Sequence, residues 1–264
     1  MSTSLEHVTP VVLTYNEAPN IGRTLAGLSW ARRIVVVDSF SDDETCAIAS
    51  AFPAVSLFQR KFDTHASQWN YATRETGIDT EWTLALDADY MVSPELAQEM
   101  AERITGTGVD GYRARFEYCV RGRKLRGTAY PPVTVLFRTG RGQYSQDGHT
   151  QRLAVEGRVE PLRHPILHDD RKPLTAWLGA QVRYTRLEAD KLLATPFGEL
   201  GFADRLRRSI VLAPPAMLGY CLFVKGNVLD GWPGIYYALQ RTASELMLSL
   251  FLLERRLARL RRAA

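Results

Sequence analysis

Cysteine is scarce: Cys46, Cys119 and Cys221 are all that 264 residues contain. An odd number without metal-ligand spacing argues against a disulfide framework and a zinc site, and it suits a reducing compartment. No internal repeat or low-complexity tract is visible, and no secretory leader is expected, because Met-Ser-Thr-Ser-Leu-Glu-His leads almost directly into an apolar run. The longest unbroken apolar stretch is also too short for a membrane span. Ile210 to Val224 is fifteen residues long and is interrupted by Pro214-Pro215, whereas a spanning helix needs about 20. A recognised nucleic-acid motif and an aromatic stacking platform are both missing, so nucleic acid is not an expected partner.

What remains is a chain with 45% hydrophobic residues, enough for one α/β domain plus an appendage. Val8 to Leu13 is a continuous, β-branched run that ends in Thr14-Tyr15-Asn16-Glu17, and Arg33 to Val37 ends in Asp38-Ser39-Phe40-Ser41-Asp42-Asp43. Between them Ile21, Leu25, Leu28 and Ala31 recur at helical intervals, and Glu44 to Phe52 supplies a second short helix. Apolar runs without alternation imply strands buried on both faces of a mainly parallel sheet, which binds ligands beyond the carboxyl ends of its strands. Leu84-Ala-Leu-Asp-Ala-Asp-Tyr90 belongs to the same edge. Its Asp87 and Asp89, one residue apart where a buried strand runs out, suit a hard divalent cation held against a diphosphate. An isolated Asp-x-Asp is equally a solvated turn; the two neighbouring polar strand ends favour the functional reading.

Thr14 to Glu17, the run Val35-Val-Val-Asp-Ser-Phe-Ser-Asp-Asp-Glu-Thr45 and Leu86-Asp-Ala-Asp-Tyr90 resemble, in order and spacing, family 2 glycosyltransferases of the GT-A fold. Within that family the chain is similar to small bacterial enzymes that add sugars to lipopolysaccharide core or other envelope glycans, with good motifs over residues 8 to 190. The resemblance implies an α/β fold, a Rossmann-like mixed sheet flanked by helices, over residues 1 to 202. It implies a metal-dependent inverting transferase that uses a nucleotide diphosphate sugar, UDP-linked by preference, on a lipid-linked or lipopolysaccharide-type acceptor. Thr14, Asn16, Glu17 and Asp38 would hold the nucleoside, with Gln68 and Asn70 of the following helix nearby. Asp87 would contact ribose or a metal water, Asp89 would bind Mn²⁺ or Mg²⁺ directly, and His168, at a late strand end, would be the further metal ligand. Arg171 and Lys172 would neutralise the leaving diphosphate, the main part going to Arg171.

The acceptor hydroxyl needs a base. The cluster Tyr144-Ser-Gln-Asp-Gly-His-Thr-Gln-Arg152 lies where family members carry an acidic or His-Glu pair; here His149 is followed by Thr150, so Asp147 is preferred and His149 stands second. Two other readings stay open: a non-enzymatic adaptor that binds nucleotide sugars at a membrane, and a sugar nucleotidyltransferase, although the latter should carry a Gly-rich basic phosphate loop that Thr14 to Arg23 lacks.

Residues 203 to 264 carry ten Lys or Arg against four Asp or Glu, a net +6, which leaves −2 for residues 1 to 202 of a chain whose total is +4. Trp232 to Leu260 repeats Leu239, Ala243, Leu246, Leu250, Leu253, Leu257 and Leu260 at alternate steps of four and three, with Arg255, Arg256, Arg259, Arg261 and Arg262 near its end. This predicts a helical appendage on an anionic membrane surface, and with it a cytoplasmic protein peripheral to the inner face of the bacterial inner membrane. A helix packed on the catalytic domain, or the seam of a homodimer, fits the same stripe.

Overall fold

The computed structural model describes residues 3–148 and 150–263. The chain falls into two compact units, one of residues 1–122 and 130–172, the other of 123–129 and 173–264.

In the first unit the order is β1 (Val8–Thr14), α1 (Ile21–Ala26), β2 (Ile34–Asp38), α2 (Thr45–Ser50), β3 (Val55–Gln59), α3 (His65–Arg74), β4 (Trp82–Asp87), β5 (Tyr90–Met91) and α4 (Pro94–Arg103). Then come β6 (Gly111–Ala114), β7 (Phe116–Val120), the two-residue β8 (Arg123–Lys124) at the start of the second unit's short segment, and, back in the first unit, β9 (Val133–Arg138), β10 (Gly142–Asp147), β11 (Thr150–Val155), β12 (Val159–Pro161) and β13 (Ile166–His168). Seven strands form one sheet in the order β12-β6-β9-β4-β1-β2-β3. β4, β1, β2 and β3 run parallel, while β9 enters antiparallel to both β4 and β6 and makes the sheet mixed. β10 and β11 form a separate hairpin, and β13 lies between β5 and β7.

The unbroken apolar runs are explained by which way alternate residues point. Val8, Val12, Val36, Leu84 and Leu86 join Ile21, Leu25, Leu96 and Met100 in one core. Val11, Val35, Val37 and Ala85 face the other side, where Trp69, Ala72, Phe137 and Tyr144 cover them. With both faces dry, a strand meets solvent only at its ends. Ser93 starts α4 as the sequence predicts, its Oγ accepting from Leu96 N (3.2 Å), with Pro94 in the first turn.

The second unit contains α5 (Leu174–Ala194), α6 (Phe202–Arg208), α7 (Ala213–Gly219) continued by a π-helical turn at Tyr220–Val224, and α8 (Trp232–Ala263). The division falls at 172/173, thirty residues before the expected one at 202/203, because Ala189 and Leu192 of α5 share a core with Leu200, Leu248 and Leu252. α8 packs by the face that carries Tyr237, Ala238, Glu245, Leu248 and Leu252, all buried. The stripe seen in the sequence lies elsewhere: Leu239, Leu246, Leu250, Leu253 and Leu257 are exposed. Glu245 is buried only because Arg207 donates to it from Nε and Nη2 (3.1 and 2.9 Å), and Arg255 donates to Asp190 of α5 (3.1 Å). Ala243 of the stripe is half-buried and Arg256 of the cluster exposed, while Leu260, Arg259, Arg261 and Arg262 have side chains outside the described residues. No helix among the described residues is long and apolar enough to cross a membrane.

The two faces of α8 separate in stability measurements. Leu252→Ala should cost about 2–5 kcal/mol by opening a core cavity. Leu250→Ala, 66% exposed and half a turn away, should stay within about 0.5 kcal/mol of wild type. Urea unfolding of the two variants checks this, and equal losses would refute the assignment of faces.

Candidate active site

Strand register gathers the polar strand ends. On adjacent parallel strands Thr14 pairs with Asp38, and Leu13 with Asp87, so the carboxyl ends of β1, β2 and β4 finish level. The loops that leave them turn sharply, with Asn16 at φ 53° and Phe40 at φ 60°. A left-handed aromatic residue is a costly conformation, held here by its neighbours. Asp38 organises that turn from beneath: it is fully buried and accepts from Ser41 N (2.8 Å), Ser41 Oγ (2.5 Å) and Thr14 Oγ1 (2.8 Å). Burial would raise its pKa, but these hydrogen bonds outweigh burial and hold it below the ordinary value. Asn16 bridges the same two loops, its N donating to Ser41 Oγ (2.8 Å) and its Oδ1 accepting from Asp42 N (3.0 Å). Thr14, Asn16 and Asp38, expected as nucleoside contacts, all make hydrogen bonds that set the loop shape. Tyr15 and Phe40 face solvent, 52% and 55% exposed, beside the exposed carboxylates Asp42, Asp43 and Glu44.

The charges concentrate one strand further on. Burial, reinforced by the neighbouring charge of Asp89, pushes Asp87 up to about 6. Asp89 moves the other way: burial opposes its ionisation, yet His168 outweighs burial and lowers the pKa, with His168 Nε2 and Asp89 Oδ2 3.0 Å apart. His168 is raised in return, Asp89 overcoming the effect of burial. Its ring sits among Tyr118, Tyr90, Tyr130 and Phe116, with centroids at 4.6, 5.1, 5.2 and 6.2 Å, in tilted and edge-on contacts. Glu17 is pushed up to about 7 by burial and by Asp89 against the pull of Lys172, whose Nζ lies 2.5 Å from Oε1. Burial would lower Lys172, but Glu17, Asp170 and Asp89 together keep it protonated. Four carboxyl groups therefore depend on one lysine and one histidine.

Beneath this cluster a network fixes the loop 168–172. Asp169, 1% exposed, accepts from Arg23 Nη1 (3.0 Å), Arg171 Nε (2.7 Å) and Gly122 N (3.1 Å). Asn20 donates to Glu17 (2.8 Å) and to Asp170 (2.9 Å), and accepts from Arg171 N (2.8 Å). Arg171, expected at the diphosphate, is tied to Asp169; the cation among the site carboxylates is Lys172. Sequence distance hid this, since 150 residues separate Asn20 from Asp170.

The model of glycosyl transferase family 2 matches residues 10–161, more than half of the chain. The chain belongs to this family. It is similar to the lipopolysaccharide core biosynthesis glycosyltransferase LpsC of Rhizobium meliloti (strain 1021), at 24% identity over 244 residues, 86% of this chain and 85% of LpsC. It is 30% identical over 111 residues, 42% of the chain and 38% of the relative, to an uncharacterized glycosyltransferase of Rickettsia felis. Among solved structures, the mannosyltransferase PcManGT from Pyrobaculum calidifontis, in complex with GDP-Man and Mn²⁺, superposes with a TM-score of 0.53 at 16% identity, covering 94% of this chain and 87% of that one. S. aureus TarS 1–349 with UDP-GlcNAc gives 0.50 at 14% identity, covering 95% and 92%. These likenesses show the GT-A fold, and the protein is a glycosyltransferase.

In this glycosyltransferase two further expected contacts make hydrogen bonds within the protein. Gln68 is 1% exposed, accepting from Arg60 (2.6 Å) and donating to Ser39 (3.2 Å). Asn70 clamps the β10 backbone, donating to Tyr144 O (2.9 Å) and accepting from Tyr144 N (3.0 Å). Asp147 is the last residue of β10, paired across the hairpin with Thr150, and Arg152 Nε donates to its Oδ2 (2.5 Å). His149 lies outside the described residues.

The donor set suits a hard divalent ion at Asp87 and Asp89, because two buried carboxylates that repel each other are what such an ion relieves. His168, expected as the further ligand, lies beside Asp89 with Nε2 3.0 Å from Oδ2, and its Nδ1 is buried without a hydrogen-bond partner. Among the described residues no three His, Cys, Asp or Glu side chains form a cage. The imidazole fixes the orientation of Asp89.

The raised Asp87 carries a stability consequence. Its folded pKa of about 6 exceeds its ordinary 3.8, so protonation favours the fold; that contribution is full below about pH 4 and is lost as the pH rises through 6. Asp87→Asn removes the cost of the buried charge. It should stabilise the metal-free protein by about 1–2 kcal/mol at pH 8, a gain that shrinks towards pH 4. Urea unfolding at both pH values checks the sign; a variant less stable than wild type at pH 8 would refute it.

Proposed function

We propose that this glycosyltransferase transfers a sugar, with inversion, from a UDP-sugar to a lipid-linked envelope glycan of the lipopolysaccharide type, at the inner face of the bacterial inner membrane. The observation that carries the donor reading is the level finish of β1, β2 and β4, which sets Thr14, Asp38 and Asp87 side by side below exposed Tyr15 and Phe40. The similarity to LpsC supports the acceptor class, and the UDP-GlcNAc bound by TarS supports the nucleotide.

The nucleobase stacks on Tyr15 and Phe40, whose loops Asp38, Thr14 and Asn16 shape from below. His168 keeps Asp89 ionised and oriented. Asp87 and Asp89 would hold Mn²⁺ or Mg²⁺, which when bound would supply positive charge for a departing diphosphate. Lys172 supplies a second positive charge there, while Arg171 keeps the loop in place through Asp169. Asp147 takes the proton of the acceptor hydroxyl as its oxygen attacks the anomeric carbon opposite the leaving group, which requires the carboxylate to part from Arg152. His149 is the second candidate for that role. The net +6 of residues 203 to 264 draws the protein to the anionic leaflet where such an acceptor lies.

Asp89→Ala should lower turnover by several orders of magnitude with the fold intact, since charge stabilisation at a leaving group is worth several kcal/mol. Slow Mn²⁺-dependent hydrolysis across a panel of nucleotide sugars, followed by release of free sugar, measures this without an acceptor. A variant within tenfold of wild type would remove Asp89 from the metal site. For the base, Asp147→Asn should leave UDP binding by calorimetry unchanged and lower transfer by roughly 10² to 10⁴. If His149→Ala abolishes transfer and Asp147→Asn does not, the roles are exchanged.

A further inference from the structure

We propose that the apolar face of α7 and the π-helical turn that continues it inserts, parallel to the surface, into the headgroup–acyl boundary of an anionic bilayer. The Arg-rich end of α8 is then not the element that enters. The inference rests on the membrane-linked acceptor proposed above for its purpose, but its physical basis is separate.

From Ile210 to Val224 there is no charged residue. Ala213, Pro214 and Cys221 face inwards, Cys221 against Met217 (3.8 Å). The opposite face presents Leu212, Ala216, Tyr220 and Phe223, at steps of four, four and three, so one helical face is continuously exposed and continuously apolar. Phe223 and Val224 are 73% and 71% exposed, and the Tyr220 hydroxyl is the sole polar side-chain group on that face. Residues 213–224 would be about 18 Å long as an ideal helix, too short to cross ~30 Å of hydrocarbon. Lying in the interface is the arrangement open to such a helix in lipid.

Basic side chains guard both ends. Arg205 and Arg208 lie over the exposed ring of Phe197 (5.5 and 5.6 Å) just before the helix, and Lys225 lies over Tyr220 (5.2 Å) just after it. This decides between a bilayer and a second copy. Antiparallel copies would set Arg208 against Lys225 of the other chain, and parallel copies would set each cation against itself; both bring like charges together. Anionic headgroups attract all of them. In α8, Arg255 is paired to Asp190 and Arg256 donates to Arg208 O.

The test is flotation of the full chain on phosphatidylcholine vesicles with and without phosphatidylglycerol, beside sedimentation and donor hydrolysis in solution. Wild type should float with the anionic vesicles. Phe223→Asp and Val224→Asp should each lower the floated fraction by about tenfold and leave donor hydrolysis unchanged. Leu250→Asp, on the exposed face of α8, should float like wild type. Phe223→Trp should gain a blue-shifted emission, quenched by brominated lipid beyond the wild-type response. Failure of wild type to float, undiminished flotation of Phe223→Asp, or loss of flotation in Leu250→Asp alone would overturn the proposal, the last pointing to α8 as the docking face. Wild type that floats but hydrolyses no donor would support the proposal and sink the transferase reading.

Discussion

A strand that is dry on both faces has only its ends to give to water. Val11, Val12, Val35 and Val36 are wholly buried, so the charged groups that β2 and β4 carry, Asp38 and Asp87, stand at one edge of the sheet, while Thr9 and Thr83 are buried against hydroxyl partners. Parallel pairing then makes that edge a single place, because the three carboxyl ends finish together. Loop shape and charge balance both follow from this constraint. It also explains why Asp38, Thr14 and Asn16 hydrogen-bond to one another's loops: the first residues beyond a buried strand must satisfy backbone groups before they can serve a ligand.

The same edge stores electrostatic tension. Asp87, Asp89 and Glu17 are close enough to influence each other's ionisation, and burial acts against all three. His168 and Lys172 relieve part of it, His168 from within an aromatic enclosure and Lys172 from a loop anchored through Asn20 and Asp169. Stability alone would favour fewer carboxylates here. Groups whose ionisation is perturbed in this way mark a candidate functional site.

The C-terminal unit meets a different requirement. Its core is complete without the leucines of α8 that the heptad spacing singles out; Leu248 and Leu252 do that work, and Leu239, Leu246 and Leu250 remain outside. An apolar surface that internal packing leaves uncovered needs some other environment. The charge-free helix between Ser209 and Lys225 is the clearer case because both of its ends are basic.

The sequence by itself determined the parallel sheet, the three polar strand ends, the Asp-x-Asp pair and the family, because these depend on local runs and on motifs that keep their spacing. It also carried the heptad stripe of α8, but not the side of the helix that is buried: Leu248 and Leu250 are equally apolar, and the difference lies in α5 fifty residues away. Tertiary structure alone decided which polar residues are free. Asn70 and Gln68, expected near the nucleotide, hydrogen-bond Tyr144 and Arg60, and Arg171 and Lys172, adjacent in sequence, part company because Asp169 reaches one and Glu17 the other. A hydrogen bond joins groups by position in space, and a one-dimensional pattern holds no record of which partner has already been taken.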